Sequence, residues 1–365
     1  MVASSTYVPI LLTKFGELQA MRSLPARARE RFTPLFAVPH VGWDYDADDW
    51  KETLDEHLGG LPAALAQAWA DRYGFVDLLL VDDDGPMADG RHPLVWLTGE
   101  ARVLGAPLLP IVSPTRSAAY RAAARTVQAR DGEGVGVRLQ IPDWPINTAP
   151  AALDQLLAEL GITPGEADLV LDLGAQTGLL ALTVLRQQLA ALPHLQQWRS
   201  LIVASAGMPQ DMPTGSGIHV VPRDDWLLYG ALRNGPALAR EPTFSDYAVS
   251  SVEPAPDLDP RLMSLSATLR YTSGDDWLIA KGGLFKGPGG SSLGGSAMQP
   301  VAGSLRAHSG YLGAEHCGCE RWLERVVTGV ASGGNPTVWR KQGTFHHLVV
   351  VTEQLAKFHA ASSGP

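Results

Sequence analysis

Two arginines, a lysine, two tryptophans and paired histidines crowd into two short stretches late in the sequence. The first carries Arg270-Tyr271, Trp277 and Lys281; the second carries Trp339-Arg340 followed by His346-His347. Guanidinium and ammonium groups clamp anions through charge-assisted hydrogen bonds, and aromatic faces stack on rings and cations. Arg270 and Lys281 fall in strand-like pieces, 267–271 and 277–281, joined by a Ser-Gly-Asp-Asp turn, so they are expected to face each other across a hairpin. If the later segment is extended, His346 and His347 point to opposite sides, which leaves one of them for a site. The competing reading is an ordinary hairpin whose Trp277 and Trp339 plug an apolar edge.

A second polar set emerges once the elements are placed. Over the first 250 residues, short β-branched or Leu-rich runs alternate with Ala/Leu/Arg segments of helical period. The strand-like runs cover 7–14, 33–40, 76–82, 108–113, 136–141, 169–173, 201–205 and 244–249. Helical segments cover 17–24, 50–70, 93–104, 117–129, 151–160, 179–191 and 224–232. Near-continuous apolar strands separated by helices predict a parallel sheet buried on both faces. Eight such units close a (β/α)8 TIM-like barrel; an open doubly wound sheet is the alternative.

Barrel active sites gather at the C-terminal ends of the strands. Those ends read Lys14, His40, Asp82, Ser113, Gln140, Asp172, Ser205 and Asp246 with Tyr247. The set offers a cation, a titrating base and carboxylates for acid–base work, or for a divalent metal held by Asp82 and Asp172. Asp172 stands out, because a carboxylate flanked by leucine and valine needs a partner. The 207–217 loop, with Thr214-Gly215-Ser216-Gly217, reads either as a backbone cradle for phosphate or as a flexible connection.

Composition narrows the function classes. Of 365 residues, 45% are hydrophobic and 18% charged, which fits a large buried core and not a disordered chain. A net charge of −9 argues against electrostatic coating of duplex DNA, while leaving room for a local basic pocket. Two cysteines, Cys317 and Cys319, make no disulfide framework; with His316 they form an incomplete set for a structural zinc. No signal peptide or membrane-spanning run is read, so a cytoplasmic protein without a membrane partner is expected. Pro254, Pro256 and Pro260 mark the expected boundary between a barrel at 1–254 and an extension at 255–365 packed on it. The extension holds the hairpin, a mobile Gly-rich loop at 282–296, a helix at 315–327 and a strand-or-helix segment at 344–354.

These residues resemble the beta protein family, named for a protein of a T-even bacteriophage. The resemblance rests on Tyr7-Val8-Pro9-Ile10-Leu11 with Lys14, Gly16-Glu17 and Ala20-Met21, then Phe32-Thr33-Pro34-Leu35. It continues through Ser245-Asp246-Tyr247, Leu269-Arg270-Tyr271-Thr272, Trp277-Leu278-Ile279, Lys281-Gly282, Trp339-Arg340, Gly343-Thr344 and His346-His347. Lys281 stands where the family pattern has arginine, and Phe345 where it has a small polar residue. The resemblance implies a setting of phage genomes and anti-phage neighbourhoods, with no assigned reaction.

The expectation is a barrel protein of phage–host conflict that binds a phosphate-bearing ligand, such as a nucleotide or a nucleic-acid end. Arg270, Lys281 and Arg340 hold the anion, with Tyr271 and His347 beside them, and Trp277 or Trp339 stacks a base. His346 acts as acid or base, and Lys14, Asp172 and Asp246 complete the floor. If there is turnover, phosphodiester or nucleotide hydrolysis is expected. The rival is a non-catalytic scaffold that docks a protein partner through the Gly-rich loop and the C-terminal third. A metabolic barrel enzyme acting on a sugar phosphate is the third reading.

Overall fold

The structure is a computed structural model that describes residues 2–3, 5–81, 85–144, 151–252, 264–286 and 293–362. The chain divides into two compact units. The first comprises Met1–Thr13, Arg29–Ala206 and Asp224–Tyr247; the second comprises Lys14–Ala28, Gly207–Arg223 and Ala248–Pro365.

The first unit is a closed barrel of eight parallel strands. They are β1 (Val8–Leu12), β2 (Leu35–Ala37), β5 (Gly74–Asp77), β6 (Leu108–Val112), β7 (Val135–Gln140), β8 (Ala167–Asp172), β9 (Ser200–Ser205) and β11 (Thr243–Asp246). Their order is β1-β11-β9-β8-β7-β6-β5-β2, and β2 closes the ring on β1 through Ile10↔Leu35. Interior strands such as β8 and β9 are buried at every residue, which is why they read as unbroken apolar runs. A two-residue ribbon, β3 (Trp43–Asp44) and β4 (Asp49–Trp50), precedes α3 (Leu54–Gly59) and α4 (Leu61–Ala68). The outer layer continues with α5 (Pro93–Val103), α6 (Ala118–Asp131), α7 (Ala151–Leu160), α8 (Gly178–Ala191) and α9 (Asp224–Asn234).

Two local departures from the expected elements have clear causes. The helix expected at 50–70 begins only at Leu54, where Thr53 and Glu56 form a reciprocal capping box, and it breaks at Gly60 before Pro62. The strand expected at 76–82 stops at Asp77, whose Oδ1 accepts a hydrogen bond from the Leu79 amide at 2.9 Å and turns the chain. Asp82 lies outside the described residues.

The second unit is built from separate stretches of sequence. It holds α1 (Phe15–Ser23), α10 (Met298–Ala307), α11 (Gly318–Val327) and the long α12 (Pro336–Ser362), with α2 (Ala26–Arg29) at its chain boundary. Its sheet is antiparallel, in the order β10 (Gly217–Pro222), β13 (Asp276–Lys286), β12 (Leu265–Ser273). The strand β10 is an addition to the elements expected from sequence, since its exposed face weakens the apolar signal. The strand β13 takes the first residues of the expected 282–296 loop; residues 287–292 lie outside the described residues. The 344–354 segment is helical throughout, so a continuous β-branched run, Val349-Val350-Val351-Thr352, sits in a helix held by tertiary packing.

Two glycines let helices approach closely. A Cβ on Gly16 of α1 would stand 2.7 Å from the Thr337 carbonyl oxygen of α12. A Cβ on Gly343 of α12 would stand 2.9 Å from the Arg270 carbonyl oxygen of β12. Both contacts press the backbone of α12 against its neighbours, and so fix where Arg340 emerges.

Candidate functional site

At the C-terminal ends of the barrel strands, four charged side chains and a tyrosine form one buried network. Arg138 of β7 donates through Nε and Nη2 to Asp172 Oδ2 at 2.9 and 2.6 Å, and through Nη1 to Asp77 Oδ2 at 2.7 Å. Arg116 donates to the other Asp77 oxygen at 2.5 Å, and the Tyr247 hydroxyl donates to Asp172 Oδ2 at 2.6 Å. Burial pushes the Asp77 carboxyl up, but the Arg116 and Arg138 guanidiniums overcome it and hold the carboxyl below its ordinary value. Two arginines balance two aspartates, so the network is neutral, while the Nη1 of Arg116 stays buried without a hydrogen-bond partner among the described residues.

Of the expected metal pair, Asp82 lies outside the described residues, and Asp172 is engaged by partners of its own. Asp172 Oδ2 is taken by Arg138 and Tyr247, and Oδ1 accepts from the Gly174 amide at 2.9 Å. Asp246 is fully buried and accepts from the Tyr7 hydroxyl at 2.5 Å. Sequence reading finds Asp172 but misses Arg138, Asp77 and Arg116. A lone arginine inside Val-Gly-Val-Arg-Leu-Gln carries the same signal as the flanked aspartate.

The second unit contains a cavity of about 340 Å³ lined by Arg270, Lys281, Arg340, Trp339, Met212 and Thr268, among others. Its lining, among the described residues, includes three cations and no carboxylate. Lys281 pairs with Thr268 and Arg270 with Ile279, so the two cations are diagonal neighbours on one face of the hairpin, not directly opposed. Arg270 donates to the Val249 carbonyl at 2.7 Å, and Lys281 to the Pro213 carbonyl at 2.5 Å. Neither partner neutralises charge. Burial, reinforced by the nearby Arg340, pulls the Arg270 guanidinium down to about 10. Lys14 is lowered as well, first by burial and then by Arg340 and Arg270 against the pull of Glu17.

Glu17 is the counter-ion. Arg340 Nη1 donates to Glu17 Oε1 at 2.8 Å and to Ser250 Oγ at 2.9 Å. Burial raises the Glu17 carboxyl above its ordinary value despite Arg340 and Lys14. Between that raised value and the unfolded value of about 4.3, the folded chain binds a proton that the unfolded chain releases. Stability linked to Glu17 therefore rises as pH falls through that window. We expect Glu17→Gln to flatten this slope, read from urea unfolding at neutral pH and just above the carboxylate range.

The remaining predicted residues lie elsewhere in this unit. Successive residues of a strand face opposite sides, so Tyr271 turns away from Arg270. Its ring stacks on His346 at 3.8 Å between centroids, and its hydroxyl donates to Glu320 at 2.9 Å. His346 is fully buried; six residues along α12 from Arg340, it sits on another face of that helix. Its expected acid–base role beside the cations is thus not supported by position. His347 stacks on Trp277 at 4.8 Å, and Arg223 lies over the same indole at 5.6 Å. Trp277 is wholly buried, which removes it as a platform for a base. Trp339 lines the cavity with its Nε1 hydrogen-bonded to the Gly333 carbonyl. The 207–217 loop contributes Met212 to that lining.

A larger cavity of about 410 Å³ lies at the opposite, N-terminal ends of the barrel strands. It sets Arg29, Arg72 and Arg199 against Glu30, Asp71, Glu133 and Asp168, so its balance is acidic. That end of a barrel serves stability. Among the described residues, no helix is long and apolar enough to cross a membrane.

The profile of the family described as Beta protein matches residues 7–353. No curated protein matches the chain. Among solved structures, a point mutant of the tryptophan synthase α-subunit from the hyperthermophile Pyrococcus furiosus is similar at 11% identity and a TM-score of 0.38. That match covers 68% of this chain and 89% of the other. The YdjI aldolase from Escherichia coli K12 is similar at 10% identity and a TM-score of 0.32, covering 66% of this chain and 74% of that one.

Proposed function

The chain belongs to the Beta protein family, and from that premise we propose that it binds a phosphate-bearing ligand, such as a nucleotide or a nucleic-acid end, in the cationic cavity of its second unit. The observation that carries this reading is the charge imbalance: Arg270, Lys281 and Arg340 line the cavity, Lys14 stands near, and Glu17 is the carboxylate paired among them. Buried like charges repel, and an entering anion relieves that repulsion. Arginine forks suit phosphate oxygens, and Trp339 supplies the aromatic wall. Phage–host conflict is the setting we propose, from the family's phage namesake. The role is binding; His346, the acid–base candidate, is engaged by Tyr271, Glu320 and the Thr272 carbonyl.

A thermal-shift screen tests this directly, using inorganic phosphate, nucleoside mono- and triphosphates, and 5′-phosphorylated oligonucleotides. Binding to the folded state raises Tm by mass action. We expect a shift with one phosphate class, weakened by Arg340→Ala by roughly ten- to a hundredfold in Kd, the loss of one charged hydrogen-bonding group. No shift with any phosphate compound, or a shift that Arg340→Ala and Arg270→Ala leave intact, overturns the assignment.

A further inference from the structure

On the face of β12 turned away from the cavity, four metal-binding side chains converge. Glu320, in the first turn of α11, and His346 of α12 are fully buried, and Cys317 caps α11. His346 Nδ1 lies 2.8 Å from Glu320 Oε1, Cys317 Sγ lies 2.8 Å from Glu320 Oε2, and Cys317 Sγ lies 4.0 Å from His346 Nδ1. One donor atom each from His316, Glu320 and His346 fall within 4.8 Å of one another. We infer that His316, Glu320 and His346 bind one zinc ion, with the Cys317 thiolate as fourth ligand.

The hydrogen-bond arithmetic supports the ion. His346 Nε2 is 2.8 Å from the Thr272 carbonyl oxygen, which only accepts, so that nitrogen carries the proton. Nδ1 then directs its lone pair at a carboxylate, and a cation must sit between them: either a proton or a metal. A bare proton accounts for His346 and Glu320 alone. It leaves the Nε2 of His316 buried without a hydrogen-bond partner among the described residues. A metal draws His316 in too, since one of its ring nitrogens lies within 4.8 Å of the Glu320 and His346 ligand atoms.

Donor chemistry and charge agree. Zinc takes imidazole, carboxylate and thiolate at about 2.0–2.3 Å in tetrahedral array, which separates its ligands by roughly 3.3–3.8 Å. The His346–Glu320 and Cys317–Glu320 separations of 2.8 Å and the Cys317–His346 separation of 4.0 Å lie on either side of that span. Two neutral imidazoles, one carboxylate and one thiolate cancel the +2 charge, so the buried centre is neutral once the Cys317 proton leaves to solvent. The outer partners are in place: the Thr272 carbonyl orients His346, and the Tyr271 hydroxyl donates to Glu320. Cys319 is wholly buried and is not among the ligands, so the Cys317/Cys319/His316 set read from sequence is replaced by this one.

The test is metal content of the full-length protein, loaded with zinc and dialysed, followed by cobalt substitution. We expect one zinc per chain, and a cobalt form with a thiolate charge-transfer band. His316→Ala, on a half-buried loop, is expected to lower zinc affinity at least about tenfold with unchanged far-UV circular dichroism. Cys317→Ser is expected to abolish the cobalt–thiolate band, and serves as the second variant should His316→Ala not fold. Zinc lost on dialysis, zinc retained equally by His316→Ala, or a cobalt form without the thiolate band overturns the four-ligand site. Phosphate binding in the cationic cavity is independent of each of these outcomes.

Discussion

Arg138→Leu is expected to destabilise the barrel unit by about 3–5 kcal/mol, the cost of stranding a buried charge. Asp77 and Asp172 are each 1% exposed, and Arg138 serves both. Without it, Asp172 keeps the Tyr247 hydroxyl and the Gly174 amide but no cation. The effect has a pH signature. A carboxyl held below its unfolded value, as Asp77 is, contributes stability that is present above about pH 3.9 and lost as pH falls through the folded value. Removing Arg138 weakens that depression, so acid unfolding of the variant begins at higher pH than in the wild type. The double variant Arg138→Met, Asp172→Leu leaves Arg116 paired with Asp77 and no stranded charge. It should recover most of the lost urea midpoint. A double variant as unstable as the single one would show that packing, not charge, set the cost.

Trp277→Ala is the second large loss, expected at about 3–5 kcal/mol. The indole is wholly buried in a cluster with Met208, Val249 and Ile279. It also supports the His347 ring, which Thr272 orients at 2.8 Å. Trp277→Phe separates the contributions. The indole Nε1 has no acceptor among the described residues, so losing that N–H strands nothing. The substitution keeps an aromatic face for His347 and leaves a smaller cavity, so it should cost clearly less than Trp277→Ala. Unfolding followed by near-UV circular dichroism distinguishes the two. If Trp277 touched a ligand base, Trp277→Phe would weaken nucleotides more than inorganic phosphate; we expect equal effects on both.

The barrel is legible in the sequence because parallel strands buried on both faces leave long apolar runs, and helices between them keep their own period. All eight strands fall within a few residues of the expected runs. The candidate site is legible by residue type and not by grouping. Arg270, Lys281 and Arg340 do line one cavity, but Tyr271 and His346, their sequence neighbours, lie together elsewhere. Alternation along β12 and the turn of α12 make that division, and the sequence of α12 is equally compatible with a strand. Glu17 stands in the family pattern without a role, because its partner Arg340 is 323 residues away. Glu320 is hidden in a charged amphipathic stretch, where one buried acid looks like its exposed neighbours.

The 323-residue span between Glu17 and Arg340 also bears on how the protein is made. At roughly 5–20 residues per second of synthesis, α1 leaves the ribosome tens of seconds before α12. Through that interval Leu18, Ala20 and Met21, buried in the finished fold, have no α12 to cover them. The first barrel strand waits as well, since Val8 and Pro9 pair with Ser245 and Asp246. A chain that ends before α12 lacks Trp339 and Arg340, and with them one wall of the cationic cavity.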